Sequence, residues 1–218
     1  MAIRKKTSGY GLLSPDLPDD EQLVPCSVEK IQDDQVYDRL WVRGEREPAM
    51  LDRLSIAESR LDQISWPQAQ LPEISLRDVK ASTCDFSNAR MPGSDFQQVE
   101  LIGAKLVGVD FSESIWRNVV LTKCNLSFCT WRGARLKNCR FEDCELSDAE
   151  FDLVQFDNVD WIDSRMRRSR FYGARLTEAK FTRCELTDIG AAPDDLRKLQ
   201  IDAAGWLQLA PLFDVVIE

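Results

Sequence analysis

Every fifth residue from Phe86 to Leu186 is large and apolar, twenty-one positions without a miss, beginning Phe86, Met91, Phe96 and Leu101 and ending Phe171, Leu176, Phe181 and Leu186. Two residues before each stands a second series that is small throughout, from Cys84, Ala89 and Ser94 to Ala174, Ala179 and Cys184. The other three positions of each unit are mostly polar or glycine. A period of five matches neither the 3.6 of a helix nor the alternation of an isolated strand. It does match a coil with flat sides. Each unit then makes one short side and a corner, with one large and one small side chain pointing inward and the rest facing water. The inward partner is small because the interior is already filled by neighbouring rings and branched chains.

The same phase extends backward less cleanly through Leu51, Ile56, Leu61, Trp66, Leu71 and Leu76, and then meets the undersized Ala81. Residues 49–83 are therefore read as degenerate coils and 84–188 as regular ones. Charge decides how many sides a coil has, because side chains stacked about 4.8 Å apart repel when alike and attract when opposite. Among outward positions, charged residues 20 apart are opposite in thirteen pairs and alike in two; at 15 the tally is six to ten, and at 25 nine to four. Glu145, Arg165 and Glu185 form one such run, and Arg140, Asp160 and Lys180 another. Four units per coil is the geometry that this pattern favours.

The units FSNAR, LIGAK, FEDCELSDAEF and FYGARLTEAKF resemble the pentapeptide-repeat family, strongly over 84–188 and weakly over 49–83. The resemblance implies an all-β solenoid, a right-handed quadrilateral β-helix of about seven coils with a short α-helical C-terminal cap. Some relatives, the quinolone-resistance pentapeptide proteins, resemble a DNA duplex in size and charge and bind type II topoisomerase. The family supplies no catalytic motif.

Past Asp188 the period stops. Pro193, Asp194 and Asp195 read as a helix start, and Asp202 before Ala203, Ala204 and Trp206 as an N-cap and second helix that Pro211 ends or bends. Residues 189–218 form a cap over the last coil; the competing reading is a dimerising helix that exposes Leu209, Leu212 and Phe213. Residues 1–48 form an N-terminal segment. Its first twenty or so residues are expected to be mobile, and Val24, Val36, Leu40, Trp41 and Val42 are candidates for a cap.

The chain has no histidine, which removes imidazole as base, metal ligand and pH switch. Six of seven cysteines (84, 124, 129, 139, 144, 184) fall in the small inward series, so their spacing follows the coil rather than a ligand geometry, and they are expected to be reduced and buried. Neither a GxxxxGK phosphate loop nor a GxGxxG turn occurs, and no cofactor or metal is expected. The glycines at 93, 103, 108, 133 and 173 all fall at corners. No uncharged apolar run is long enough to span a bilayer, and Met1 to Lys6 lead into no secretory signal, so a cytoplasmic location is expected, without membrane contact.

The net charge of −9 disfavours direct nucleic-acid binding and favours a basic partner. Residues 142–163 hold nine acids and no base, read as charge ladders answered by flanking basic coils, with an acidic docking belt as the alternative. Outward apolar residues Ile102, Val120 and Ile162 share one side and offer an interaction surface, for a partner or for the chain's own N-terminal segment. The function expected is a non-catalytic scaffold or protein-protein interaction module, monomeric or dimeric through the C-terminal helix. The alternative is a DNA-mimicking protein that binds or protects gyrase; residues 81–190, with seventeen acids and fifteen bases, are poorly charged for it.

Overall fold

The computed structural model describes residues 12–213. From Leu51 onward the chain winds into coils of twenty residues. Leu76, Phe96, Trp116, Leu136, Phe156 and Leu176 stand in register, each paired in parallel with the residue one coil before it. We call the four sides first to fourth by their large residues: Leu101, Leu106, Met91 and Phe96 head the four columns. The longest strands, β4 (Ser55–Ser65), β5 (Ser75–Ser82), β6 (Asp95–Ile102), β7 (Ile115–Thr122), β8 (Arg135–Glu142) and β9 (Gln155–Ile162), run through the fourth and first sides. The second and third sides pair by single bridges such as Lys105 with Asn125 and Asp110 with Thr130.

Corners bring the chain round by a left-handed residue two places after each large one. Glycine serves at Gly173 (φ 70°), where a Cβ would come within 2.8 Å of the Leu153 side chain. Most corners use other residues, including Phe128 and Leu153 at φ 62°. These conformations cost energy for residues with a Cβ. The hydrogen bonds made coil to coil on both flanks hold them in place, as when Phe128 N–H donates to the Ser147 carbonyl at 3.1 Å.

Inside, the two series fill the later coils. Phe111, Trp131, Phe151 and Phe171 stack along the third side with ring centroids 5.2, 4.9 and 5.0 Å apart, and Phe141 lies nearly parallel to Trp161. Each ring that is buried in this way removes on the order of 150–250 Å² from water. The earlier coils are filled mainly by aliphatic side chains, with the Trp66 and Phe86 rings among them, and an apolar cavity of about 50 Å³ runs among Leu54, Ile64, Leu71, Leu76 and Met91 up to Trp116. The small series has a bonding role as well as a steric one. Cys84, Cys129 and Cys184 donate their thiols, and Ser169 its hydroxyl, to the carbonyl of the large residue 23 places earlier, at 3.2, 2.8, 3.4 and 2.8 Å.

Two irregular turns precede the seven regular coils, making about nine in all. They contain β1 (Val24–Ser27), β2 (Val36–Asp38) and β3 (Leu40–Glu45); β2 and β3 pair with β4, and β1 pairs with β3. Of the residues expected to cap this end, Val42 is buried and Leu40 packs against the core, but Val24 and Val36 are 59% and 78% exposed. Val28 and Ile31 cover the core instead, in a turn that alternation-based reading passes over. Arg46 fastens that turn, donating to the Val28 carbonyl at 2.9 Å and lying over the Trp66 ring. Residues 12–20, the later part of the stretch expected to be mobile, lie against the coils: Leu12 is buried, Ser14 accepts from Gln98, and Asp20 pairs with Arg60. Residues 1–11 lie outside the described residues.

At the other end the structure carries the phase beyond Asp188. Ala191 and Leu196 are buried, and β12 (Gln200–Ile201) pairs with β11 (Lys180–Thr182), putting Ile201 beside Phe181. β10 (Arg175–Thr177) precedes β11 on the fourth side. The residues after Pro193 form a single 3-10 turn, with Asp195 accepting from the Ala192 N–H at 3.0 Å. Helix α1 (Ala203–Leu209) follows, with Asp202 as N-cap accepting from Gly205 at 2.8 Å, and at Ala210–Phe213, around Pro211, it tightens into a 3-10 turn.

Candidate interaction surface

The outward side chains form charge ladders. Lys105 reaches Asp85 at 3.0 Å, Arg140 reaches Asp160 at 3.6 Å and Arg165 reaches Glu145 at 3.6 Å, each one coil apart. Two pairs are bidentate: Arg168 on Asp148 and Arg183 on Asp163, with all four contacts between 2.6 and 2.7 Å. These forked bonds hold the Asp148 and Asp163 carboxyls below the usual carboxylate range. Asp160 is nearly covered, and burial pushes its carboxyl up against the pull of Arg140 and Lys180.

Seven of the nine acids in 142–163 are thus paired, namely Glu145, Asp148, Glu150, Asp152, Asp157, Asp160 and Asp163. The belt is neutralised by its neighbours rather than presented to solvent as bare negative charge.

The ladders also run diagonally, which the count at twenty residues misses. Arg117, stacked on the like-charged Lys137, donates to Asp95 at 2.9 Å, 22 residues away. Arg170 takes Asp152 and Arg167 takes Glu185, each at an offset of 18. Positions on either side of a large residue sit side by side on one face, so offsets of 18 and 22 were the signal to count.

The apolar candidates do not form one patch. Ile102 and Ile162 share a column of the first side, but Thr122 and Glu142 stand between them, and Val120 lies one column over beside Glu100 and Arg140. At the C-terminus Leu209 is 1% exposed, in the core cluster, and Leu212 and Phe213 pack partly against it. The tail residues left outside are Trp206 and Leu207, 42% and 57% exposed. Leu209 thus faces the protein's own last coil and is withdrawn from any partner. Elsewhere Phe128, Leu153 and Tyr172 are the large exposed groups of the regular coils, on separate columns, with Leu153 and Tyr172 joined by the Leu153 N–H donating to the Tyr172 carbonyl at 2.9 Å.

Burial pushes the Cys84 and Cys139 thiols up to about 11 and about 12, and raises Cys129 and Cys184 as well. Cys144 is pushed up further by its hydrogen-bonded neighbour Cys124. All seven cysteines are free thiols, and Cys26 is the one that is not buried. Among the described residues, no group of three or more acidic or cysteine side chains could hold a metal ion, and no helix is long and apolar enough to cross a membrane.

Residues 82–118 match the family model for pentapeptide repeats in eight copies, and residues 114–190 match the model for a pentapeptide repeat region. None of the curated proteins matches. Among solved structures, a trypsin-treated variant of QnrB1, a plasmid-mediated fluoroquinolone resistance protein, aligns over 84% of this chain and 100% of its own, with 17% identity and a TM-score of 0.55. The pentapeptide repeat protein Rfr23 from the cyanobacterium Cyanothece 51142 is 13% identical over 72% of this chain and 91% of its own, at a TM-score of 0.35. HetL, a pentapeptide repeat protein involved in heterocyst differentiation regulation from Nostoc sp. Strain PCC 7120, is 12% identical over 76% and 86%, at 0.29. At 17% identity the likeness to the QnrB1 variant is one of fold.

Proposed function

Because the chain belongs to the pentapeptide-repeat family, we propose that it is a non-catalytic scaffold that binds another protein on the flat sides of its solenoid. The observation that carries this reading is the division of labour between the two faces of each unit. Large and small residues fill the interior, while all the chemical variety lies on ordered outward columns whose spacing the coil fixes. A surface of this kind presents side chains at set intervals with little ordering cost on binding.

The alternative, mimicry of a DNA duplex toward gyrase, needs a field of unneutralised acids, and the pairing of seven belt acids weighs against it. Two experiments test the proposal. Photo-crosslinkers placed at outward positions of the intact chain, in extracts of the source cell, should trap one protein from particular columns and not from others. A supercoiling assay with purified gyrase, with and without a quinolone, should show no effect; protection of the enzyme would replace the scaffold reading with the alternative.

A further inference from the structure

The four sides differ in how their charge balances. Between residues 71 and 190, three bases answer three acids at the outward strand positions of each of the first three sides. The fourth side carries five bases, Arg77, Arg117, Arg135, Lys137 and Arg175, against two acids, Asp95 and Asp157. Both acids are engaged, Asp95 with Arg117 at 2.9 Å and Asp157 with Lys137 at 2.6 Å. Arg77, Arg135 and Arg175 are exposed, and among the described residues none of the three has an ion-pair partner.

The arrangement also works against the solenoid's own stability. Arg117 and Lys137 are stacked in register, and only Gln155 separates Arg135 from Arg175 in their column. Like charges at strand spacing repel. At cellular ionic strength the field of a charge fades within about 8 Å, so a ligand lying along the strand positions from Arg117 to Arg175 meets four bases and one acid, Asp157, with Glu113 and Glu178 at the flanking corners, and little of the overall −9.

The chain itself shows how an acidic segment sits on such a solenoid. Residues 14–20, with Asp16, Asp19 and Asp20, lie along the corner between the fourth and first sides, from the coil of Arg60 to that of Gln98. Asp20 pairs with Arg60, the Asp16 N–H donates to Asp78, and Gln98 donates to the Ser14 carbonyl.

We propose that the fourth side, from Arg117 to Arg175, is a docking surface for an extended acidic segment of a partner protein. This rests on the scaffold reading and adds to it the side used and the chemistry of the partner. Arg135 and Arg175 are two coils apart, about 9.6 Å, and a segment extended in the polyproline II conformation rises about 3.1 Å per residue with three residues per turn, so every third side chain shares a face. Carboxylates three residues apart therefore reach both guanidiniums, each of which offers a fork of donors.

The test uses the full chain and a fluorescent peptide with aspartate at every third position, its asparagine counterpart, and a thymidine oligonucleotide of similar length. Binding is followed by anisotropy at low and raised salt. The aspartate peptide should bind, and the double variant Arg135→Glu with Arg175→Glu should weaken it about tenfold or more, with the thermal midpoint nearly unchanged. Lys123→Glu with Arg132→Glu makes the same change in net charge at bases outside the fourth side, and it should alter binding less than about twofold. Equal loss in both variants, absence of binding, or preference for the oligonucleotide would each overturn the assignment. If the peptide fails while crosslinking traps a protein on another side, the scaffold reading stands and this surface falls.

Discussion

The carboxamide of Gln208 occupies the place that a further coil would fill above Leu186. The Leu186 N–H donates to its Oε1 at 2.7 Å, and its Nε2 donates to the Cys184 carbonyl at 3.2 Å. One side chain thus supplies both an acceptor and a donor to an edge that ends there, while Leu209, one residue on, is buried in the core. One corner away Asp202 supplies two acceptors, taking the Arg183 N–H at the edge and the Gly205 N–H of the helix at once. The solenoid closes by bonding its edge as well as by covering its core.

Gln208→Ala should therefore destabilise the protein by about 1 to 3 kcal/mol, the cost of leaving backbone groups unpartnered. Gln208→Glu retains the acceptor for Leu186 but loses the donor to Cys184, and should fall between. Thermal melts check the order. Light scattering checks a second consequence, that the opened edge in the alanine variant promotes association; a monodisperse alanine variant as stable as the parent would remove the bond from the account of the cap.

In the core, Trp131→Ala or Phe141→Ala should cost about 3 to 5 kcal/mol, because Trp131 is held between the Phe111 and Phe151 rings and Phe141 between Leu121 and the Trp161 ring. Replacement by phenylalanine separates packing from hydrogen bonding. The Trp116 indole donates to Ser114 Oγ at 2.8 Å, whereas the buried indole nitrogens of Trp131 and Trp161 have no hydrogen-bond partner. Trp116→Phe should cost about 1 kcal/mol more than Trp131→Phe. Equal losses in denaturant unfolding would show that the bond contributes nothing.

Arg117→Glu tests the diagonal pairing. A ladder counted only at twenty residues sees Arg117 facing Lys137 and expects reversal to be neutral or better. With Asp95 as its partner, reversal should destabilise by about 0.2 to 1 kcal/mol, as Arg165→Glu should between Glu145 and Glu185. Both losses should shrink in salt. An Arg117→Glu protein as stable as the parent would restore the straight ladder.

Acid should weaken the C-terminal end through named groups. The backbone N–H groups of Arg183 and Gly205 hold the Asp202 carboxyl below its usual range, and the Arg168 and Arg183 guanidiniums do the same for Asp148 and Asp163. A carboxyl depressed in the folded state contributes stability above its unfolded pKa of about 3.9 and loses it as pH falls through the folded value. Asp160 works the other way, since its raised carboxyl makes the fold relatively more stable at low pH. The gap in stability between parent and Asp202→Asn should be widest near neutrality and close as pH falls below 3.9 or so. A gap that is constant with pH would assign the effect to shape rather than charge.

Thiol reagents should modify Cys26 quickly in the native protein and the other six only on unfolding, because the six are buried and, where shifted upward, carry little thiolate. Counting labelled thiols by mass resolves this.

The coil was legible in the sequence because its interior is strict: a large and a small residue per side leave a period that no helix or flat strand shares. Twenty residues per coil was legible from charge because Glu145, Arg165 and Glu185 stack straight. The ends were read less well, for the same reason. Leu196 and Ile201 keep the phase beyond Asp188, but the small partners Asp194 and Leu199 break the pattern, so the last turn looks like plain tail. At the start, Val28 and Ile31 belong to a turn with no period, and the exposed Val24 and Val36 have the same side chain as the buried Val42. The surplus on the fourth side was hidden inside a negative total, since net charge carries no address until the columns are known.

The aromatic ladder also has a direction. Its contacting rings begin at Phe96 and Phe111 and run to Phe181, while the coils before them are mainly aliphatic, with Trp66 and Phe86 apart, and line most of the cavity. In a solenoid each coil is stabilised chiefly by its two neighbours. The best-packed coils are therefore the last to leave the ribosome, and the coils made first have no firm template when they emerge. Structure should propagate from the later coils back toward the start of the chain, against the order of synthesis, leaving the newborn amino-terminal half in the care of whatever shields it until the ladder has formed.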